Sequence, residues 1–389
     1  MTPSSLLLVS AIVSSSCFFF VDAFVFHHEG NCRGSCVRLF SATGTLVSLE
    51  RETEREVGQL QDWAGQCGVQ AENGFYLDCQ MVDNIDDWYA VTGTGVQRGS
   101  RVLYVPGEMI MSASQIAQEY DGYATASFQL LADMGMQHLF KHFYLFLKVM
   151  VEYEQGSSSP YFPWFQALPR KWNTAASMDS FCLSCLPPFL KSLCQIEQDQ
   201  LEAFSQALNV FDYVSPESKA NPELMKFAYN IVFTRSWRSE EGDYRIVPVA
   251  DMINHGYPDN VVISYDEYGG CEVTAKEDLP PGSPLTLSYG QPTNPSRFLA
   301  TYGFINESPS FFCKMLLANP SQELRDLGYD PNRMLFYADG SVSPEVWDVL
   351  LYSRLEKKAE MADIKNTFYQ AHMSGDEQTK QAIHAQFQS

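Results

Sequence analysis

Residues 112–238 carry a helical hydrophobic period, and on both sides of that block the chain switches to short strand-like runs bounded by turn residues. Before it, over residues 69–111, Gly, Asn and Asp punctuate runs such as Phe75-Tyr76-Leu77 and Val102-Leu103-Tyr104-Val105. After it, residues 244–249, 261–265 and 271–274 read as strands, the last two joined by a turn at 266–270. Pro280-Pro281-Gly282 then leads into residues 285–289. Neither strand set fills a core alone, so the two are expected to form one β unit that the helical block interrupts. Inside the block, apolar residues recur three and four apart over 116–129, 139–153, 196–210 and 224–232. A loop at 156–160 and the pair Pro187-Pro188 divide it. A charged amphipathic stretch at 49–68 leads in, with Val57, Leu60, Trp63 and Ala64 at helical spacing, and from Leu324 onward the chain is mostly helical and polar.

Composition narrows the function. With 26 Lys+Arg against 47 Asp+Glu the formal charge is −21, which repels a phosphate backbone, so direct nucleic-acid binding is not expected. The same acidity would steer a basic peptide toward the surface. Residues 6–21 form an apolar run too short for a comfortable membrane span, ending in Val21-Asp22-Ala23, which suits signal cleavage. Residues 24–48 hold one acid, Glu29, with Arg33, Arg38 and several hydroxyl residues, and resemble a transit peptide. An apolar leader followed by a transit-like stretch predicts a plastid address through a secretory-type bipartite leader, with secretion or an endomembrane lumen as the alternative. No stable membrane span is expected once the leader is removed. The ten cysteines are spaced unlike a disulfide framework, and Cys182, Cys185 and Cys194 lack a fourth zinc ligand nearby. His138 and His142 share a helical face without the Glu of a zincin helix, so no metal site is expected.

Two segments concentrate polar groups where chemistry could use them. Asp251, Asn254 and His255 fall within one turn of chain at a strand exit, a place where polar groups usually serve only loop solvation. Leu287-Ser288-Tyr289-Gly290 ends a strand on a tyrosine, and Tyr302-Gly303-Phe304 follows thirteen residues later. Arg235 lies on the apolar stripe of Leu224, Phe227, Ala228 and Ile231, because eleven residues at about 100° each return to nearly the same angle. A guanidinium there needs a partner, and Asp251 or a cofactor carboxylate could supply it.

Taken together these segments resemble the SET family, in particular its branch with plant Rubisco large-subunit lysine methyltransferase and actin histidine methyltransferase. The likeness rests on residues 248–255, 287–290 and 298–304. It is supported by Thr234-Arg235-Ser236-Trp237, by Tyr161-Phe162-Pro163-Trp164 before Leu168-Pro169, and by residues 98–106, so that it spans roughly residues 84–305. Each motif alone is weak, whereas the ordered set is specific. The resemblance implies an α+β fold: a pseudoknotted all-β SET core split by a helical insertion, with a short helical C-terminal module. The expected divisions are signal peptide 1–23, transit-like leader 24–48, first part of the SET core 49–111, insertion 112–240, second part of the core 241–305 and C-terminal module 306–389.

The implied cofactor is S-adenosyl-L-methionine, and the implied activity is methylation of a protein, at lysine in the first reading. Histidine methylation, or a SET-derived module that binds a protein without turnover, are the alternatives. A lysine with a pKa near 10.4 is neutral in only about one part in 2,500 at pH 7, a shortfall of roughly 4.6 kcal/mol, and an apolar channel recovers part of it. By resemblance Asn254 and His255 seat the cofactor, Arg235 lies at the active site, and Tyr289 is the catalytic residue beside methyl group and nitrogen. Asp251, Tyr265 and Tyr302 belong to the substrate side. The chain departs from the family where a Gly-rich turn usually meets the cofactor's methionine end: residues 84–90 contain no glycine, and Asp86 or Asp87 would face the cofactor ammonium instead. No cysteine-rich segment follows the core, which argues against the zinc-using histone-type branch. The protein substrate is the expected partner, docked by the C-terminal module of a monomer.

Overall fold

The computed structural model describes residues 44–82, 85–290, 295–305, 311–313, 316–317, 319–337 and 339–387. The signal segment, most of the transit-like stretch with Cys32 and Cys36, and Asn84 lie outside the described residues. The chain enters through helix α1 (Val57–Gln66), then strands β1 (Gln70–Ala71), β2 (Phe75–Val82), β3 (Ile85–Thr92), β4 (Arg101–Val105) and β5 (Met111–Ser112). The insertion contributes α2 (Ala113–Glu119), α3 (Thr125–Asp133), α4 (Phe140–Glu154), α5 (Phe162–Ala167), α6 (Ser180–Ser184), α7 (Pro188–Leu208), α8 (Pro216–Lys219) and α9 (Pro222–Arg235). Strands return as β6 (Ser236–Arg238), β7 (Tyr244–Ile246), β8 (Asn254–His255), β9 (Val261–Tyr265), β10 (Cys271–Ala275) and β11 (Thr286–Leu287), followed by α10 (Pro295–Tyr302). The C-terminal part holds β12 (Phe311–Cys313), α11 (Gln322–Asp326), β13 (Leu335–Tyr337), α12 (Pro344–Glu356), α13 (Ala362–Ser374) and α14 (Glu377–Phe387).

The two strand sets separated by the insertion join in shared sheets. One has the order β1-β4-β10-β9, all antiparallel, with Cys271 opposite Val105 and Val273 opposite Leu103; another has the order β5-β7-β6. Their side chains and the insertion helices share one core. In it α4 is apolar almost all round, with Phe143, Leu145, Phe146, Leu147 and Val149 excluded from solvent. This is a mixed α+β fold with a β core interrupted by helices.

Several local expectations change. The periodic run over 116–129 is two helices, because Gly122 adopts φ +78° between α2 and α3, a left-handed conformation that ends a helix at little steric cost for glycine. Only the second half of 49–68 is helical. The first half is a strap, tied where the Glu56 N–H donates to the Gln166 carbonyl and Arg55 Nε to Ala167 O. The strap begins inside the stretch assigned to the leader: Val47 is buried in the core, Tyr153 donates to its carbonyl, and the Ser157 N–H donates to Thr45 O. Residues 85–90, which stand where the family's Gly-rich turn is expected, belong to β3, which pairs with β2 along its whole length. The C-terminal part is not purely helical, since β12 pairs with β13, and it encloses a separate small core around Tyr352, Leu327, Met334 and Phe368. Among the described residues no helix is long and apolar enough to cross a membrane.

Candidate active site

The centre of the site is assembled by the chain between β7 and β8. Val249 turns with φ +75°, a region that strongly disfavours a β-branched side chain, and the following short turn from Ala250 to Met252 carries Asp251 into the core. Its side chain is wholly buried. Arg235, the last residue of α9, donates through Nη1 to Asp251 Oδ2 at 3.0 Å and to the Asp251 carbonyl at 2.9 Å. Trp164 Nε1, from α5, donates to the same Oδ2 at 3.0 Å. Burial pushes the Asp251 carboxyl up, while the charge of Arg235 and the Trp164 donor act against that rise. The pairing left open between Asp251 and a cofactor carboxylate is thus made by Asp251 in this structure.

β8 lies parallel to β11, with Asn254 opposite Thr286 and His255 opposite Leu287. The crossover between them is the β9–β10 hairpin. The approach is close enough to require glycine at the next position: a Cβ on Gly256 would lie 2.4 Å from Thr286 Cβ. This pairing delivers Tyr289 to His255, whose Nδ1 accepts from the Tyr289 N–H at 3.2 Å. Burial lowers the His255 pKa, so the ring is neutral near pH 7 with its proton on Nε2. Asn254 Nδ2 reaches Trp88 O at 3.3 Å and Asp87 Oδ1 at 3.5 Å. Of the two carboxylates proposed for the missing glycine turn, Asp87 therefore stands beside Asn254. Asp86 is exposed, in register with the exposed Met81.

The phenols face a cleft of about 1300 Å³ between the β core and the insertion, lined by Arg235, Asp251, Tyr265, Tyr289 and Tyr302 among others. Tyr289 donates its hydroxyl proton to Ile253 O at 2.8 Å, and Tyr302 donates to Tyr289 O at 3.2 Å, with the two rings 4.9 Å apart. Burial raises the Tyr289 pKa, so it remains a neutral phenol. Tyr265 accepts from Trp237 Nε1 at 2.7 Å and lies under the Arg245 guanidinium at 4.0 Å, so it stands at the wall of the same cleft. Asn254 and His255 are behind Tyr289 rather than in the cleft lining. Tyr289 touches both regions, through its backbone to His255 and its ring to the cleft.

One residue of this neighbourhood was not singled out from sequence. Arg55, on the strap, donates through Nη2 to Met252 Sδ at 3.7 Å and has no carboxylate partner among the described residues. Burial and the charges of Arg235 and Arg170 lower its pKa, the charge of Asp251 offsets only part of this, and a bound anion would relieve the rest. No periodicity marks it, because the strap is not helical. Among the described residues, the buried atoms Trp88 Nε1, Arg235 Nε, Asp251 Oδ1 and His255 Nε2 of the site have no hydrogen-bond partner. Unpaired buried polar atoms are costly, and such a concentration fits a polar ligand that completes the site. Among the described residues no three His, Cys, Asp or Glu side chains converge to hold a metal, and Cys182 and Cys185 are exposed while Cys194 is buried.

No family model and no curated protein sequence matches the chain. Solved structures do. The SET domain of LSMT bound to lysine and AdoHcy aligns with a TM-score of 0.57 at 15% identity, over 76% of this chain and 70% of that one. Rubisco LSMT bound to sinefungin and monomethyllysine, and Rubisco LSMT bound to AdoMet, each align at 0.56 and 15%, over 77% of this chain and 70% of theirs. At that identity the likeness speaks for architecture alone: the chain has a SET-domain-like fold similar to that of Rubisco LSMT.

Proposed function

We propose that the protein is an S-adenosylmethionine-dependent protein methyltransferase and that the nitrogen it methylates is that of lysine. The observation that carries this reading is the direction of the two hydroxyl protons. Tyr289 and Tyr302 spend theirs on backbone carbonyls, so both oxygens present only lone pairs to the cleft. A neutral primary amine has two N–H groups to give such oxygens and one lone pair left to aim elsewhere. An attacking imidazole nitrogen has no hydrogen and would leave both oxygens without a donor, which favours lysine over histidine.

The cofactor fits the other side. The buried cation Arg55 suits an α-carboxylate, Asp87 beside Asn254 suits an ammonium, and the orphaned Trp88 and His255 donors suit ring or ribose acceptors. When bound, S-adenosylmethionine supplies an electrophilic methyl group on a sulfonium sulfur. The residues of this chain do the rest. The half-buried tyrosine-lined cleft disfavours the ammonium form of the substrate, which sheds its proton to solvent before attack. Tyr289 and Tyr302 orient the amine, and Arg235 with Trp164 keeps Asp251 and the Ile253 carbonyl in place beneath Tyr289.

The test uses methyl-labelled S-adenosylmethionine and a protein extract of the same compartment, followed by acid hydrolysis and amino-acid separation. Label in methyllysine is expected. Label in methylhistidine would overturn the choice of nitrogen, and bound cofactor with no label in any residue would leave a SET-derived binding module as the reading.

A further inference from the structure

The same cleft extends well past the tyrosines, along α7 and the N-terminal end of α4, and one carboxylate in it is built differently from the rest. Glu197, on α7, is half-buried and lines the cleft together with its neighbours Leu193 and Ile196. Its Oε1 accepts from Thr301 Oγ1 at 3.0 Å and its Oε2 accepts from Tyr229 at 2.8 Å. Two hydroxyls from two other helices, α10 and α9, thus hold the carboxylate in one orientation. No cation pairs with it among the described residues. The other charges of the cleft are treated otherwise: Asp251 is neutralised by Arg235, Asp259 by Lys276 at 2.7 Å, Glu241 approaches Arg245 at 4.0 Å, and Arg238 and Glu240 are exposed.

We infer that Glu197 is a specificity-determining residue that pairs with an arginine or lysine close in sequence to the methylated lysine. This deepens the methyltransferase reading and rests on it. Thr301 precedes Tyr302 on α10, so the residue that pins Glu197 adjoins the one that lines the amine site. An extended peptide advances about 3.3 Å per residue, and a basic side chain a few positions from the target reaches the α7 wall from a backbone lying at the cleft mouth. A carboxylate already fixed by two donors loses little freedom on pairing, and partial burial shields the pair from salt. The exposed side chain of Ile196 on the same wall offers apolar surface for the aliphatic stem of that basic residue.

The experiment scans a lysine-centred peptide with arginine, glutamine or glutamate at each flanking position, against the wild-type chain and Glu197→Gln. Two readouts are taken: methyl transfer from labelled S-adenosylmethionine, and binding of dye-labelled peptides by anisotropy with S-adenosylhomocysteine present. In the wild type, arginine at one flanking position lowers KM and peptide Kd by roughly tenfold relative to glutamine, and glutamate raises both. In Glu197→Gln, whose amide keeps hydroxyl contacts, that ratio collapses to near one. A purely structural clamp between α9 and α10 would weaken all peptides alike and leave the ratio intact, which would overturn the inference. So would transfer in the wild type with no preference for a basic flank. If no peptide is methylated, the methyltransferase reading fails, and the arginine dependence of binding still decides the role of Glu197.

Discussion

His255 shows how a single ring joins stability to function. Its Nδ1 accepts from the Tyr289 N–H, and burial holds its pKa below the ordinary value near 6.5. The unfolded chain therefore takes up this proton at a higher pH than the folded one. The stabilisation from keeping His255 neutral is complete above about pH 6.5 and is lost as pH falls through the lower folded value. Denaturant unfolding of the wild type and His255→Gln at pH 7.5 and 5.5 checks this. The wild type should lose more stability between the two pH values than the variant, and parallel losses would count against it. At this scale much of the centre was legible: the helical stripe ending at Arg235 announced a buried cation, and Asp251 stood among its possible partners. Arg55 was not, and although Trp164 stood in a motif its bond to Asp251 was not legible either, because both side chains arrive from distant parts of the chain and nothing local records where they end.

Among the elements, the shortest strands matter most. β8 and β11 pair over two residues, and Gly256 allows the approach because a Cβ there would meet Thr286. Gly256→Ala forces the two strands apart, an overpacking worth about 1–3 kcal/mol. It should lower Tm and weaken S-adenosylhomocysteine binding together, since Asn254 and Tyr289 sit on the separated segments. Thermal unfolding and calorimetry of the variant test this, and an unchanged Tm would show the contact to be relaxed at no cost. The hairpin β9–β10 was readable from its Asp-Gly-rich turn, whereas a parallel pairing across a hairpin crossover leaves no local signal. The β3 strand was hidden for another reason: its acidic start stands where the family's turn is expected, and only the register with β2 reveals the strand.

At the scale of the molecule, the folded unit takes in residues that composition had given to the leader. Val47 fills a core position under Tyr153, and Arg170 holds the Ser48 carbonyl. Burying a valine contributes about 1.5–3 kcal/mol. A chain starting at residue 44 should therefore show a higher urea midpoint than one starting at 49, and equal midpoints would remove the strap from the core. The division into a β unit and a helical insertion was legible because hydrophobic period changes with secondary structure, while the sharing of one core between them emerges only on folding. The central claim is that the Tyr289 hydroxyl, held by Ile253, positions the reacting nitrogen. Tyr289→Phe removes one oxygen and preserves the ring. Single-turnover transfer from labelled, saturating S-adenosylmethionine, compared across wild type, Tyr289→Phe and Tyr302→Phe, should show Tyr289→Phe slower by tenfold or more, about 1.4 kcal/mol, with little change in Tm. Transfer by Tyr289→Phe at the wild-type rate would contradict the account.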